Sequence, residues 1–591
     1  MRIIHLVRRY ASLLSLLSVL GMLIAAPYLI AENPDSAIFR NGTFGLLLLL
    51  CCMHPLVQAF RRADLRTLLC SMAFGLLFCC ALSLGAELRF YGRLLPGMGS
   101  MLRRLAVPML GAPFLGGLSA RLMLIRPQKS YKPLHLSMGV YMVILLACWL
   151  PLLIAHYPGM LNYDFHTEYQ QFLAGQWDNR HPLLYIVINY TIFSIGRATG
   201  HPELSVFVVT LLRMILFAAA LSYSCIFAQR RRVPAFISFL LTTLYALHPV
   251  FSVMSVSSAK DTLFAAALLV LSLLSWSALE NPRIFFSDKR RMTAFVLSVI
   301  FTWHMRKNGV AAMLLLILLV IAVRGFRLQM AKLCMTGAAL SLLLGICMNA
   351  VLHPVDQPTF QIYSLPAQQL ARAYNLGEMT EEERSELRSW YIDSDWGLQL
   401  LPHLADAAKG SLDSDRLAAE SDAFMDLWKR VGKKNVRVYT EAFLLLNIGS
   451  WYPDDTTHAS IYQPYGLDKG YLQTDEYDLS EHGIGKYNPL PMVRLFYDRL
   501  CRRNIYLKYP VIAQLFAAAT PLWCILFACF TLVARKQTRL AIAASGALAL
   551  WLSYLFGPCT LARYMLPLFC LAPAMLIGAF SHSTTPERTL P

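Results

Sequence analysis

LHLSMGVYMVILLACWLPLLIAHYPGMLNYDFHTEYQQ, residues 134–171, carries an apolar run of about twenty residues straight into Asp164 and Glu168, set among aromatics, His and Gln. A run of that length crosses about 30 Å of hydrocarbon as a helix, because backbone amides in lipid find partners only within the segment itself. Pro158 and Gly159 end that helix, and Asp164 begins another. In the second helix Phe165, Tyr169 and Phe172 share one face while Asp164, Glu168 and Gln171 share another. This is the pattern of a helix lying on the membrane with its polar face turned to a cavity. The plainer reading makes Asp164 an N-cap and Glu168 a solvated surface group, and spacing alone does not separate the two.

The rest of the chain repeats the first half of that stretch. Of 591 residues 57% are hydrophobic and 15% charged, and the mean hydropathy is +0.49, a balance that a soluble chain of this length does not carry. Apolar runs at 11–30, 43–60, 67–86, 104–123, 135–155, 204–228, 235–256, 261–279, 291–304, 309–323, 333–352, 511–533, 539–557 and 561–580 predict an all-α polytopic membrane protein with about fourteen spans. The run 182–198 is short and rich in Tyr, and is assigned to the outer interface. Spanning there would put Arg230, Arg231 and Arg232 on the outer face.

The net charge of +18 is spread in short clusters between apolar runs, not gathered into a basic domain, so nucleic acid is not an expected partner. Arg2, Arg8 and Arg9, then Arg61, Arg62 and Arg66, then Arg126, Lys129 and Lys132 fall on one side of the scheme. So do Lys289 to Arg291, Arg324 to Lys332, and Arg535 to Arg539. They predict a cell-membrane protein with both ends in the cytoplasm. Arg89, Arg93 and Arg103 on an outer loop run against this rule. The first 31 residues lack a small-residue cleavage site and read as an uncleaved first helix. The fourteen cysteines sit mostly inside apolar runs and show no disulfide or CxxC metal spacing.

Four regions follow. Residues 1–132 form an N-terminal membrane segment of four helices, and 133–352 a membrane core with an outer loop at 156–203. Residues 353–508 form a mainly helical extracytoplasmic domain of about 155 residues without a spanning run, and 509–591 hold three spans and a short cytoplasmic tail. TEEERSELRSW (380–390) reads as a helix with an acidic first turn.

Several charges stand where the bilayer makes them costly. Lys260 and Asp261 sit at the outer mouth of a span, and should face the bundle or water unless Asp261 is simply a helix-start residue. Arg306, Lys307 and Asn308 tip a short hairpin, RKNG, and Arg563 with Tyr564 opens the last span. Cations on the outer side suit an anionic ligand, or pair with carboxylates, or snorkel to headgroups. His248 and His304 read as satisfied interior groups, and His166 and His181 flank the acidic motif. NGT (41–43) and NYT (189–191) are weak glycosylation patterns. No Walker, GxGxxG, GxSxG or HExxH motif is present.

In layout the chain resembles the GT-C class of membrane glycosyltransferases, which includes protein mannosyltransferases and the aminoarabinose transferase of lipid A. The resemblance rests on YDFHTEYQQFLAGQW followed by HPLLY, the ALHP turn at 246–249, KDTLF, RKNG and ARYMLP. It covers about 135–352 and, more thinly, 509–580. NIGSWYPD (447–454) is nearer to uncharacterised bacterial multi-spanning relatives. The resemblance implies transfer of a sugar from a polyprenyl-phosphate donor to a cell-envelope glycan, lipid or protein on the outer face. Asp164 is then the candidate general base. Glu168, His181, Lys260, Asp261, Arg306, Lys307, Asn308, Arg563 and Tyr564 are candidates for substrate binding. The family's DxD or ExD pair is absent at Asp164, and His181 stands where Lys is usual, which leaves metal dependence open, with Asp164, Glu168 and His166 as the ligands of any divalent ion. Mutual repulsion across one helical turn is expected to raise the pKa of Asp164 or Glu168. The alternatives are a polysaccharide polymerase or ligase, for which Arg384, Arg388, Arg437 and His458 would be key, a lipid-linked sugar flippase or transporter, and a non-catalytic assembly partner.

Overall fold

The computed structural model describes residues 2–29, 42–126, 134–161, 163–177, 179, 181–356, 358–455, 479–485, 487–501, 509 and 512–581. Lys129, Lys132, Asn41, His458 and the tail 582–591 lie outside them. Among the described residues the chain is helical without a strand. Eight helices are long and apolar enough to cross a membrane, or nine if one bent pair counts as a span. The chain is thus an all-α protein with the makings of a multi-pass membrane protein.

Several of the expected runs are broken. The run 43–60 divides into Gly42–Cys51 and Met53–Arg62. The run 511–533 divides into Ile512–Phe516 and Thr520–Ala534, and 539–557 into Thr538–Ala541, a short 3₁₀ turn and Ser545–Tyr554. Hydropathy registers apolar composition but not local breaks in the hydrogen-bond ladder, so it reads such pieces as continuous. The break at ALHP has a visible cause. Pro249 forces His248 into an extended conformation, and Ala235–Leu247 meets Pro249–Val256 at 47°. His248 caps the second piece by accepting from the Val250 amide at 3.2 Å, and its ring stacks on Phe516.

Burial separates the helices by depth in the bundle. In the apolar stretch of Asp261–Glu280 83% of the residues are buried, against 11% in that of Arg327–Leu352. The first is the central helix, packed against Pro202–Arg230, Lys289–His304 and Ala562–Phe580. The second turns Met335, Leu343 and Ile346 outward, as a helix facing lipid does. Leu65–Tyr91 pairs with Met98–Met123 and also meets Thr520–Ala534, which joins the N-terminal helices to the C-terminal ones.

The segment after residue 353 has its own core of Leu370, Trp390, Phe424, Leu427 and Val431. Its acidic helix, Glu381–Ser389, starts in a capping box between Thr380 and Glu383. A buried ion pair ties the segment down: Arg372 reaches Glu441 at 2.8 Å and also donates to the Gly92 carbonyl at 2.7 Å, while Glu441 accepts from the Leu94 amide at 3.0 Å. Two of the three arginines that strain the charge rule, Arg89 and Arg103, face carboxylates here, and Arg93 is exposed. Arg89 lies 3.8 Å from Asp455, and Arg103 and Arg104 lie 3.8 and 3.6 Å from Glu87.

The RKNG hairpin depends on its glycine. A Cβ at Gly309 would come within 2.0 Å of the Thr302 carbonyl oxygen, a backbone atom with no rotamer to yield. Gly309→Ala is therefore expected to destabilise the protein by about 1–3 kcal/mol. The check is a lower midpoint of thermal unfolding in detergent than Gly345→Ala, whose Cβ would meet only the His304 ring at an ordinary 3.5 Å. Equal midpoints would show that the hairpin relaxes freely.

Candidate functional site

The helix predicted after Gly159 forms as Tyr163–Leu173. Its aromatic face packs inward: Phe165, Tyr169 and Phe172 all meet Phe193 on the Leu183–Ala198 helix, with ring centroids 5.9, 5.4 and 5.6 Å apart. A short backbone ladder fixes the loop before it, the Met160 amide donating to Val256 at 3.0 Å and the Ser258 amide to Met160 at 2.9 Å. The 156–161 loop is thereby held against the turn that precedes Lys260.

The result is a cluster of charges from distant parts of the chain. Asp164 Oδ2 lies 2.9 Å from Arg563 Nη1 and 3.4 Å from Lys260 Nζ. Lys260 Nζ also lies 3.1 Å from His181 Nδ1. Next to Lys260, Asp261 is ion-paired with Arg306. The Arg306 guanidinium sits over the rings of Tyr554 and Tyr564, at 4.8 and 4.6 Å, and Arg563 lies 5.2 Å from the Tyr564 ring. The side chain of Asp164 is 25% exposed and that of Asp261 only 1%, so a ligand reaches the first and not the second. Asp164, His181, Lys260, Asp261, Arg306, Arg563 and Tyr564 come together. Lys307 is exposed, and Asn308 donates to Ser553 Oγ at 3.1 Å, which serves the hairpin and not the ionic cluster.

Glu168 departs from its expected place. It is 1% exposed, buried in a network that the sequence reading missed, and not a lining group of an open cavity. Asn189 donates to its Oε1 at 2.5 Å, and Arg213 donates to Asn189 Oδ1 at 2.8 Å, to the Tyr185 hydroxyl at 3.1 Å and to the Ser258 carbonyl at 2.7 Å. The same carbonyl accepts from Tyr185 at 2.8 Å. Arg213 sits inside the apolar helix Pro202–Arg230, where an arginine is costly unless it has work to do; that was the signal available in the sequence. Its work here is to lock the Ser257–Ser258 turn, and so the position of Lys260. Asn189, the acceptor of the NYT pattern, is 1% exposed and committed on both amide atoms, which excludes it as a glycosylation site in the folded chain.

The two carboxylates titrate in opposite directions. Burial pushes Asp164 up, but Lys260, Arg563 and His181 outweigh it and hold the carboxyl well below the usual range. Burial pushes Glu168 up to about 7, and Arg213 and Asn189 oppose it only in part. The shift thus comes from desolvation and not from repulsion by Asp164, as the spacing had suggested. Burial also pulls Lys260 down, against the pull of Asp164. A divalent ion does not suit this geometry. Asp164 is already held by two cations, and burial with a nearby His482 lowers the pKa of His166. Among the described residues no group of three His, Cys, Asp or Glu could hold a metal ion.

Arg384 and Arg388, candidates for the polymerase reading, lie over the Tyr374 ring, and Arg384 also donates to the Tyr374 carbonyl. Arg437 lies 3.6 Å from Glu441. All three have their contacts within the segment after residue 353.

Fold and site together define an all-helical, multi-pass type of membrane protein with a buried ionic cluster at the ends of its apolar helices. The chain belongs to DUF6020, a family of unknown function, whose profile matches residues 173–589. That range takes in His181, Lys260, Asp261, Arg306 and Arg563 and begins nine positions after Asp164. No curated protein and no solved structure matches the chain.

Glu168 provides a pH test. Between its unfolded value of 4.5 and about 7, the folded chain keeps a proton that the unfolded chain has released, so stability falls as pH rises through that window. Asp164 contributes little there, because its stabilisation is lost only as pH falls below the ordinary carboxylate range. Thermal midpoints measured from pH 4.5 to 7 should therefore drop more steeply for wild type than for Glu168→Gln, a difference on the order of 3 kcal/mol across the window. Parallel curves would place the shifted proton elsewhere.

Proposed function

We propose that this protein is a membrane glycosyltransferase that moves a sugar from a polyprenyl-phosphate donor to an acceptor hydroxyl on the extracytoplasmic face of the cell membrane. The observation that carries the reading is the placement of one reachable carboxylate, Asp164, between Arg563 and Lys260, with Arg306 beside them. Counting the buried network, four cations (Lys260, Arg213, Arg306, Arg563) face three carboxylates, Asp164, Asp261 and Glu168, and the last of these titrates near neutrality. The excess positive charge suits an anionic group such as a lipid phosphate.

In this reading the donor phosphate takes up Arg563 and Lys260. Each interaction it takes from Asp164 removes part of what holds that carboxyl low, so donor binding raises the basicity of Asp164. Asp164 accepts the proton of the acceptor hydroxyl as its oxygen bonds to the anomeric carbon. The bond from that carbon to the phosphate oxygen breaks, and the departing phosphate carries its charge onto the cations. Arg213 and Glu168 touch no substrate and act as positioning residues through the turn before Lys260. The topology that goes with this function has about fourteen spans and both ends in the cytoplasm, with the shorter apolar helices Leu183–Ala198, Gly309–Ala322 and Thr520–Ala534 near or within the membrane.

The test is transfer of a labelled sugar from a panel of polyprenyl-phosphate donors by the purified full chain in lipid. Asp164→Asn should lower the rate by about 10²–10⁴-fold, and Arg563→Lys, which keeps charge but loses the forked donor, by about tenfold. Full activity in Asp164→Asn would remove Asp164 as the base. Wild type inert with every donor that labelled membranes contain would remove the reaction class.

A further inference from the structure

The central helix Asp261–Glu280 has a second charged end. Its twenty residues span about 30 Å, so Glu280 stands a membrane thickness away from Asp261 and the site described above. There the last turns of Pro202–Arg230 and Asp261–Glu280 enclose a cavity of about 180 Å³. Its lining is mixed: Phe227 and Leu273 are apolar, and Arg230, Arg231, Arg291 and Glu280 are charged.

Arg231 is the built part of this cavity. It is 5% exposed, its guanidinium lies between the Phe227 and Trp276 rings at 4.5 and 4.9 Å, and its Nη atoms reach Glu280 at 2.5 Å and Ser581 at 3.1 Å. Two donors on the lining residues are left over. Arg231 Nε and Trp276 Nε1 are both buried with no hydrogen-bond partner among the described residues, as is one acceptor, Glu280 Oε1. Buried donors in that state are rare, since each forfeits its hydration without return. Trp276 cannot swing away to find one, because its ring lies against Gly578, where even a Cβ would come within 2.5 Å.

Charge points to the ligand. Three guanidiniums face one lining carboxylate, and Asp288, 3.0 Å from Arg291, offsets a second. Three less two leaves one uncompensated cation. A phosphodiester carries one negative charge, whereas phosphate monoesters carry about 1.5 to 2 near pH 7 and a free phosphate carries between one and two. Buried Leu273 and half-buried Phe227 beside the exposed Arg230, at the end of a membrane-length helix, also fit a headgroup with its first methylenes better than a hydrated ion.

We infer that this cavity binds the phosphodiester headgroup of an anionic phospholipid, on the membrane face opposite the Asp164 cluster. Arg230 and Arg291 would provide the charge at the mouth, and Arg231 and Trp276 the donors within. This does not depend on the transferase reading.

The experiment is native mass spectrometry of the purified full chain, comparing retention of phosphatidylglycerol with that of phosphatidylcholine. Wild type should retain phosphatidylglycerol preferentially. The double variant Arg230→Gln/Arg291→Gln, which leaves the buried Arg231 pair intact, should retain about tenfold less. Trp276→Phe, which removes only the indole donor, should weaken retention by a smaller factor. Arg61→Gln/Arg62→Gln, another basic cluster outside the cavity, should leave it unchanged. Equal retention by wild type and the cavity variants would overturn the site, as would an equal loss in the Arg61/Arg62 control. Inorganic phosphate that stabilises wild type as well as the lipid does, with the same variants losing the effect, would assign the cavity to the free ion and overturn the lipid.

Discussion

The carboxylate of Asp164 holds together three stretches that are far apart in the chain: Arg563 is 399 positions away and Lys260 is 96. Charges taken out of water at a membrane boundary cost several kcal/mol each, and only a complete set of partners offsets that cost. The arrangement is therefore cooperative in a strict sense. If the last long helix, the turn before the central helix or the Tyr163–Leu173 helix fails to dock, the other charges are left buried without their counterparts. The hydrophobic packing of the bundle is tolerant of small shifts. This cluster is not, and it sets the register of the helices that meet there.

A second constraint comes from outside the bundle. The segment after residue 353 grips the loops that carry the site. The Ala405 amide donates to the Pro558 carbonyl at 2.7 Å and Asn447 donates to the Leu555 carbonyl at 2.9 Å, both shortly before Arg563. The Val355 amide donates to Trp177 at 2.7 Å, and the Tyr487 amide to Tyr157 at 3.1 Å, on either side of Asp164. With Arg372 and Glu441 holding the 92–94 loop, the segment behaves as a cap that braces loops from three membrane regions. Loops of this kind would otherwise be the least ordered parts of a membrane protein.

Much of this was legible in the sequence, and the reasons are specific. Helix-forming apolar runs, the Pro-Gly stop before Asp164 and the acidic first turn after Thr380 are local features, and local chemistry determines them. Asp164, Lys260, Arg306 and Arg563 stood out because charges at span ends are costly, and a costly residue draws attention. The burial of Glu168 was not legible, since an i, i+4 spacing looks the same on a solvated helix and on one sealed by Asn189, Tyr185 and Arg213 from two other helices. Arg213 itself carries a sequence signal, an ion in an apolar run, but nothing local says which groups it meets. The arginines near residues 87–104 looked anomalous for a related reason: Glu87 is close in sequence, but Asp455 is not, and charge rules count cations without locating their partners.

The central helix carries this logic to its end. It is pinned by an ion pair at each tip, Asp261 to Arg306 and Glu280 to Arg231, and it is nearly enclosed between them. Sliding it along its axis by a single turn would break both pairs at once, while tilting it as one body with its neighbours breaks neither. Any working motion of this protein is thus constrained to rocking and not to a piston stroke, with the helix acting as a strut that carries displacement from one face of the membrane to the other.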